Sequence, residues 1–144
     1  MRSSKSSLIL SLACLLAATL ACNFSATTAN LSSLKVSKEK SASTETSTFA
    51  PNDTVYIVAQ VSNTSDKHKV TSRILFDDVQ GETSGTPVQG AEVTVDVPGA
   101  AAATFTLTPP VSGWPGGKYK VEVTMKDENG KQIDQKTTGF TVTG

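Results

Sequence analysis

Thiols and imidazoles are scarce in this chain. Its 144 residues hold two cysteines, Cys14 and Cys22, and one histidine, His68. Beyond residue 22 no cysteine pair remains to oxidise, so no disulfide holds a fold built from the remainder. Thiolate metal clusters and cysteine nucleophiles are excluded there by the same count. A zinc site would need mostly carboxylates, which is unusual. The lone His68 stands in the polar stretch NTSDKHKV. Asp66 is near in sequence, but no nucleophile accompanies the pair, so a solvated loop histidine is expected rather than a general base. An excess of charge of one sign is missing too, since 13 Lys and Arg balance 13 Asp and Glu. No concentrated basic face is therefore offered to a nucleic acid. No segment carries the period of an amphipathic helix, and GWPGG at residues 113 to 117 lacks the Lys-Ser/Thr of a phosphate loop. The chain reads as non-enzymatic, without cofactor or metal.

Long apolar runs are also absent, with one exception. Arg2 and Lys5 precede a run of 14 residues from Leu8 to Ala21. A helix crossing the hydrocarbon layer needs about 20 apolar residues. Positive charge, a short apolar core and small residues in that order are the layout of a secretory signal peptide. Cutting after Ala13 would leave Leu15 to Leu20 exposed, so cleavage after Ala21 is favoured. The cut removes Arg2 and Lys5, leaving 123 residues with 11 basic and 13 acidic side chains. That length suffices for one domain with its own core.

The closing segment Thr19-Leu20-Ala21-Cys22 resembles the lipobox of bacterial lipoproteins, whose cysteine receives a diacylglycerol and becomes the new amino terminus. The commonest form has Leu three residues before the cysteine, where this chain has Thr19. The resemblance covers the first 22 residues and implies lipid attachment at Cys22, with membrane lipid as the partner of the acyl chains. Each buried methylene contributes about 0.8 kcal/mol, so two or more chains anchor stably where one is marginal. Asn23 follows where an Asp often signals inner-membrane retention in enteric bacteria. The implied location is the bacterial cell envelope, on its periplasmic or extracellular side, with the outer membrane favoured. The alternative is a soluble secreted protein in which Cys22 is incidental. Residues 22 to 30, ending in NFSATTAN, have little to bury and read as a linker.

From Leu31 onward the dominant period is two. Ser and Thr number 37, and Thr suits a half-exposed strand face. LSSLKVS reads as a weak first strand with Leu34 and Val36 on one face, followed by the polar run KEKSASTETST. TVYIVAQV buries Val55, Ile57, Ala59 and Val61. After the turn NTSDKH, KVTSRILFDD places Val70, Ser72, Ile74 and Phe76 on one side. AEVTVDV turns Ala91, Val93, Val95 and Val97 inward, and AAATFTLTPP does the same with Ala103, Phe105 and Leu107. GKYKVEVTMKD sets Tyr119, Val121, Val123 and Met125 against outward Lys118, Lys120, Glu122 and Thr124. Asn129-Gly130 supplies the left-handed conformations of a two-residue hairpin, and Ile133, Phe140 and Val142 return on the last strand. About seven strands with turns between them predict two antiparallel sheets packed face to face, with a closed barrel as the rival architecture.

The segment GWPGGKYKVEV, residues 113 to 123, resembles the lead into the sixth strand of immunoglobulin-like domains, where a tyrosine hydroxyl bonds back across a corner to the backbone. Tyr119 takes that tyrosine's place. Val121 stands where antibody domains carry their second cysteine, so the resemblance is to the disulfide-free branch that includes fibronectin type III-like modules. It implies an all-β, antiparallel Ig-like sandwich over residues 31 to 143, and such sandwiches serve many functions.

Two readings apply to Trp114. On an exposed loop its indole could stack on a sugar ring or anchor a partner; alternatively it folds over one open end of the sandwich and leaves its N–H to a carbonyl. Asp77-Asp78 and the DENG of residues 127 to 130 are the carboxylate groupings open to calcium, although DENG is better explained as turn chemistry. The expected function is a membrane-anchored envelope lipoprotein with a non-catalytic binding or structural domain, its partner an envelope protein or a glycan. The alternative is a secreted carbohydrate-binding or adhesive module using Trp114.

Overall fold

The computed structural model describes residues 28–144, and Cys22 and the stretch expected to be a signal peptide lie outside them. Eight strands follow in order: β1 Asn30–Ser37, β2 Thr48–Phe49, β3 Val55–Ser62, β4 Lys67–Val79, β5 Pro87–Pro98, β6 Ala102–Leu107, β7 Gly117–Lys126 and β8 Gln132–Val142. They form a three-stranded sheet of order β1-β3-β6 and a five-stranded sheet of order β2-β8-β7-β4-β5. All pairings are antiparallel except that of the two-residue β2 with β8. The described residues form an all-β, two-sheet Ig-like sandwich, with one strand more than the sequence suggests.

The alternating residues meet between the sheets. Val55, Ile57, Ala59 and Val61 from β3 face Val70 and Ile74 from β4, Val121, Val123 and Met125 from β7, and Phe105 from β6, all fully or almost fully buried. Period-two patterning produces this because successive strand residues point to opposite faces, so one register buries every apolar side chain at once. Tyr119, Phe140 and Val142 complete the core toward one end.

Several local features depart from the sequence reading. The added strand β2 lies at the end of the polar run and buries Phe49 completely. Its brevity is possible because the neighbouring chain is also tied down: Thr141 N donates to Ser47 O at 2.8 Å and Thr143 N to Phe49 O at 2.9 Å. His68 is on β4, not in a loop, and is 3% exposed. In the β7–β8 hairpin Gly130 has φ +83° while Asn129 has no positive φ. The turn is instead closed by Gly130 N donating to Asp127 O at 3.0 Å. Asp127 Oδ1 accepts from both Asn129 N and Lys131 N at 2.9 Å. One acidic side chain thus holds the whole turn, which removes the need for a two-residue left-handed pair.

The domain also begins earlier than Leu31. Ala29 is packed in the core, Thr28 Oγ1 donates to Asn63 O at 3.2 Å, and Asn63 Nδ2 donates to Asn30 Oδ1 at 2.8 Å. The β-pattern is hard to see here because a bulge between Leu31 and Ser33 breaks the period. Leu31 is buried ahead of the bulge and Val36 after it.

Candidate functional site

The sandwich has two poles. At one, the chain enters at Asn30, beside the β3–β4 turn and the β7–β8 hairpin. At the other lie the β6–β7 loop with Trp114, the start of β7 and the end of β8. Leu31 N donates to Asp134 Oδ2 at 2.8 Å, tying the first strand to the hairpin strand at the entry pole.

An open, polar cleft of about 660 Å³ occupies the entry pole, lined among others by Asp66, Lys67, His68, Asp127, Glu128 and Lys131. His68 Nδ1 lies 2.9 Å from the Asp66 carbonyl oxygen. A carbonyl only accepts, so in neutral imidazole Nδ1 carries the proton and Nε2 keeps its lone pair. The wall mixes both signs of charge, and Asp127 is already committed to its turn. Among the described residues no group of three or more His, Cys, Asp or Glu is placed to hold a metal ion. Asp77 and Asp78 are both exposed, with a register shift between Phe76 and Asp78.

At the far pole the two residues singled out from GWPGGKYKVEV come together. Tyr119 Oη donates to Pro115 O at 2.7 Å, the expected corner. Burial, and then the nearby Glu82 carboxylate, push the phenol above its ordinary value of 10.0, because both disfavour the phenolate. Its ring is stacked on Phe140 at 5.0 Å between centroids and makes a T-shaped contact with Trp114 at 6.1 Å between centroids.

Trp114 is 4% exposed, and its Nε1 donates to Asp53 O at 3.0 Å. Of its two arrangements the structure has the cap over the open end, so the indole presents no face to a sugar in this conformation. The clamp that seats it is backbone: Trp114 N donates to Pro51 O at 2.8 Å and Gly113 N to Pro110 O at 2.8 Å. Gly113 has φ +79°, and a Cβ there would come within 3.0 Å of Pro51 Cβ. Glycine at this place lets the loop press onto the 50–53 turn. That turn is held in its own right, since Asp53 Oδ2 accepts from Ala50 N at 2.8 Å and pairs with Lys38 at 2.8 Å.

The outer face of the five-stranded sheet is ruled by charge rows. Arg73 Nε donates to Glu122 Oε1 at 2.8 Å across β4 and β7, and Glu122 is left 8% exposed. Asp96 on β5 pairs with Lys67 and Lys69, each at 3.2 Å. Thr71 and Thr94 share a hydroxyl contact of 2.8 Å between these rows.

No family model matches this chain, and no curated protein matches it. Solved structures do. A cycloisomaltooligosaccharide glucanotransferase from Paenibacillus sp., complexed with cycloisomaltoheptaose, aligns with a TM-score of 0.53 at 23% identity over 81% of this chain. This chain spans only 14% of that enzyme's length. A Niemann-Pick type C2 protein from the Japanese carpenter ant aligns with a TM-score of 0.50 at 11% identity, covering 80% of this chain and 92% of that one. At these identities the likeness is one of fold, a β-sandwich.

Proposed function

We propose that this chain is a bacterial envelope lipoprotein whose residues 1–21 are removed, whose Cys22 carries the acyl chains, and whose sandwich is a non-catalytic binding or structural module. The observation that carries the reading is the sequence Thr19-Leu20-Ala21-Cys22 closing a short apolar run. The sandwich's first contacts then begin at Thr28. The six residue steps from Cys22 to Thr28 span at most about 22 Å when fully extended. An anchor at Cys22 would therefore hold the entry pole close to the bilayer and turn the Trp114 pole away from it.

The polar groups best suited to chemistry are engaged in holding the fold. Tyr119 donates to Pro115 O, Trp114 to Asp53 O, Arg73 to Glu122, and His68 Nδ1 meets Asp66 O. That supports a module that acts by its surface. Labelling of expressing bacteria with an alkyne fatty acid tests the anchor. Label should enter the protein and be lost in Cys22→Ala, which should leave the membrane fraction. An unlabelled product, or Cys22→Ala still sedimenting with membranes, overturns the reading.

A further inference from the structure

Sheet edges carry unpaired backbone groups, and folded proteins blunt them with charge, proline, bulges or brevity. The edges here show these devices in turn. β5 has Pro87 and Pro98 at its ends, Glu92 and Asp96 along it, and Gly90 at φ +75°. β1 has Lys35, a bulge after Leu31, and the Asp134 carboxylate on Leu31 N. β2 is two residues long, and β8 carries Asp134 and Lys136 on its poorly covered half. Among the described strands β6 is the exception. Ala102–Leu107 has no charge and no proline, and its pairing with β3 runs without a register shift. It also sits in a stretch, residues 97–117, that contains no charged side chain.

The register fixes which β6 groups are free. Val61 N donates to Ala101 O at 3.0 Å, so hydrogen-bonded pairs alternate from there to Ala59 with Ala103, Ile57 with Phe105 and Val55 with Leu107. The N–H and C=O groups of Ala102, Thr104 and Thr106 therefore point away from β3. β6 ends its sheet, so among the described residues no other strand receives them. Beside this edge runs an uncharged groove of about 350 Å³, whose walls include Val88, Val93, Leu107 and Trp114.

We propose that β6 is a self-association edge that pairs antiparallel with β6 of a second copy, centred on Thr104. A two-fold axis at Thr104 sets Thr104 opposite Thr104 of the partner subunit and Ala102 opposite the partner's Thr106. These are the residues whose backbone groups are free, so these facing pairs are of the hydrogen-bonded kind and alternate with non-hydrogen-bonded ones. On the inner face Ala103 meets the partner's Phe105, small against large. The edge is self-complementary because nothing along it is charged; each of the other edges longer than two residues would oppose charged side chains when paired with itself. A closed two-fold dimer follows, with one sheet of order β1-β3-β6-β6-β3-β1. The proposal does not depend on the anchor at Cys22.

Full-length chain carrying Thr104→Cys, oxidised in the membranes or culture fluid of the expressing host, tests the pairing. Hydrogen-bonded antiparallel partners have Cα atoms about 5.5 Å apart, within disulfide reach. The expected result is a disulfide-linked peptide joining two copies of residue 104. Thr94→Cys, on the outer face of β5, should give no such link at residue 94. Sedimentation of the full chain adds a reading that needs no thiol. The unsubstituted chain should dimerise with concentration, and Thr104→Lys, which sets two ammonium groups opposite each other, should raise the dimer dissociation constant at least tenfold while keeping the same circular-dichroism spectrum. The proposal is overturned by a chain that stays monomeric at all concentrations, including one whose edge captures a different protein, or by a dimer indifferent to Thr104→Lys.

Discussion

Tyr119 and Pro115 are joined by a hydrogen bond of 2.7 Å from the phenol to a backbone carbonyl four residues earlier in the chain. The bond crosses the bend at which the β6–β7 loop becomes β7. Gly117 sits in that bend with φ +141°, and a Cβ there would overlap the Asp78 carbonyl oxygen. The corner is therefore set by two residues of opposite kind, one with a long donor and one with no side chain.

Replacing the phenol by phenyl in Tyr119→Phe should lower stability by about 1 kcal/mol, since the Pro115 carbonyl loses its donor. The urea midpoint should fall with the slope unchanged, and an unmoved midpoint would show that the hydroxyl contributes nothing. The same residue gives an alkaline signature. Its folded pKa lies above 10.0, so its stabilisation is complete below that pH and is lost as pH rises through the folded value. The urea midpoint of the parent should decline above pH 10 more steeply than that of Tyr119→Phe.

Trp114→Ala should cost about 3–5 kcal/mol, as for other large aromatics removed from a core. Calorimetric melting distinguishes the cap from a binding face. A cap that is lost lowers the melting temperature by many degrees, whereas an indole available for sugar stacking would leave it nearly unchanged.

Ser72 faces the core from β4 with 1% exposure, and its Oγ has no hydrogen-bond partner among the described residues. Burial of an unpaired hydroxyl is unfavourable by about 1–3 kcal/mol. Ser72→Ala should therefore be more stable than the parent by about 1 kcal/mol, read from the urea midpoint. A drop in stability would mean that the hydroxyl has a partner in solution.

Asp53 is held below its ordinary value of 3.8, chiefly by the Lys38 ammonium and then by Ala50 N–H. Its contribution is present above pH 3.8 and lost as pH falls through the lower folded value, because the unfolded state takes up the proton first. Stability in Asp53→Asn should thus decline less than in the parent below that pH. Because Lys38 is exposed and Asp53 only half-buried, added salt should shrink the difference. Parallel acid-unfolding curves at low and high salt would remove Asp53 as the cause.

Much of this fold was legible in the sequence wherever one strand face met water and the other met the core. In β3, β5, β6 and β7 the alternation of Val, Ile and Phe with Thr, Lys and Glu identified the inward residues correctly. The same rule failed where a strand was too short to show a period, as at Phe49, or where its residues were polar on both faces, as at His68. A turn held by the Asp127 carboxylate looked like an Asn-Gly hairpin because the two share a composition. Tyr119 was legible because the corner requires a motif with a fixed spacing. The free edge of β6 was not, since edge position depends on strand order, which pairs residues such as Tyr56 and Thr106 far apart in sequence. Cys22 rests on sequence alone.

Asn30 and Val142 lie at opposite poles of the sandwich. Tension applied between them would run along the strands, loading the β1–β3 and β7–β8 ladders in shear. Many hydrogen bonds would then have to fail together, rather than unzip one after another. A domain gripped in this way is mechanically stiff even when its equilibrium stability is ordinary.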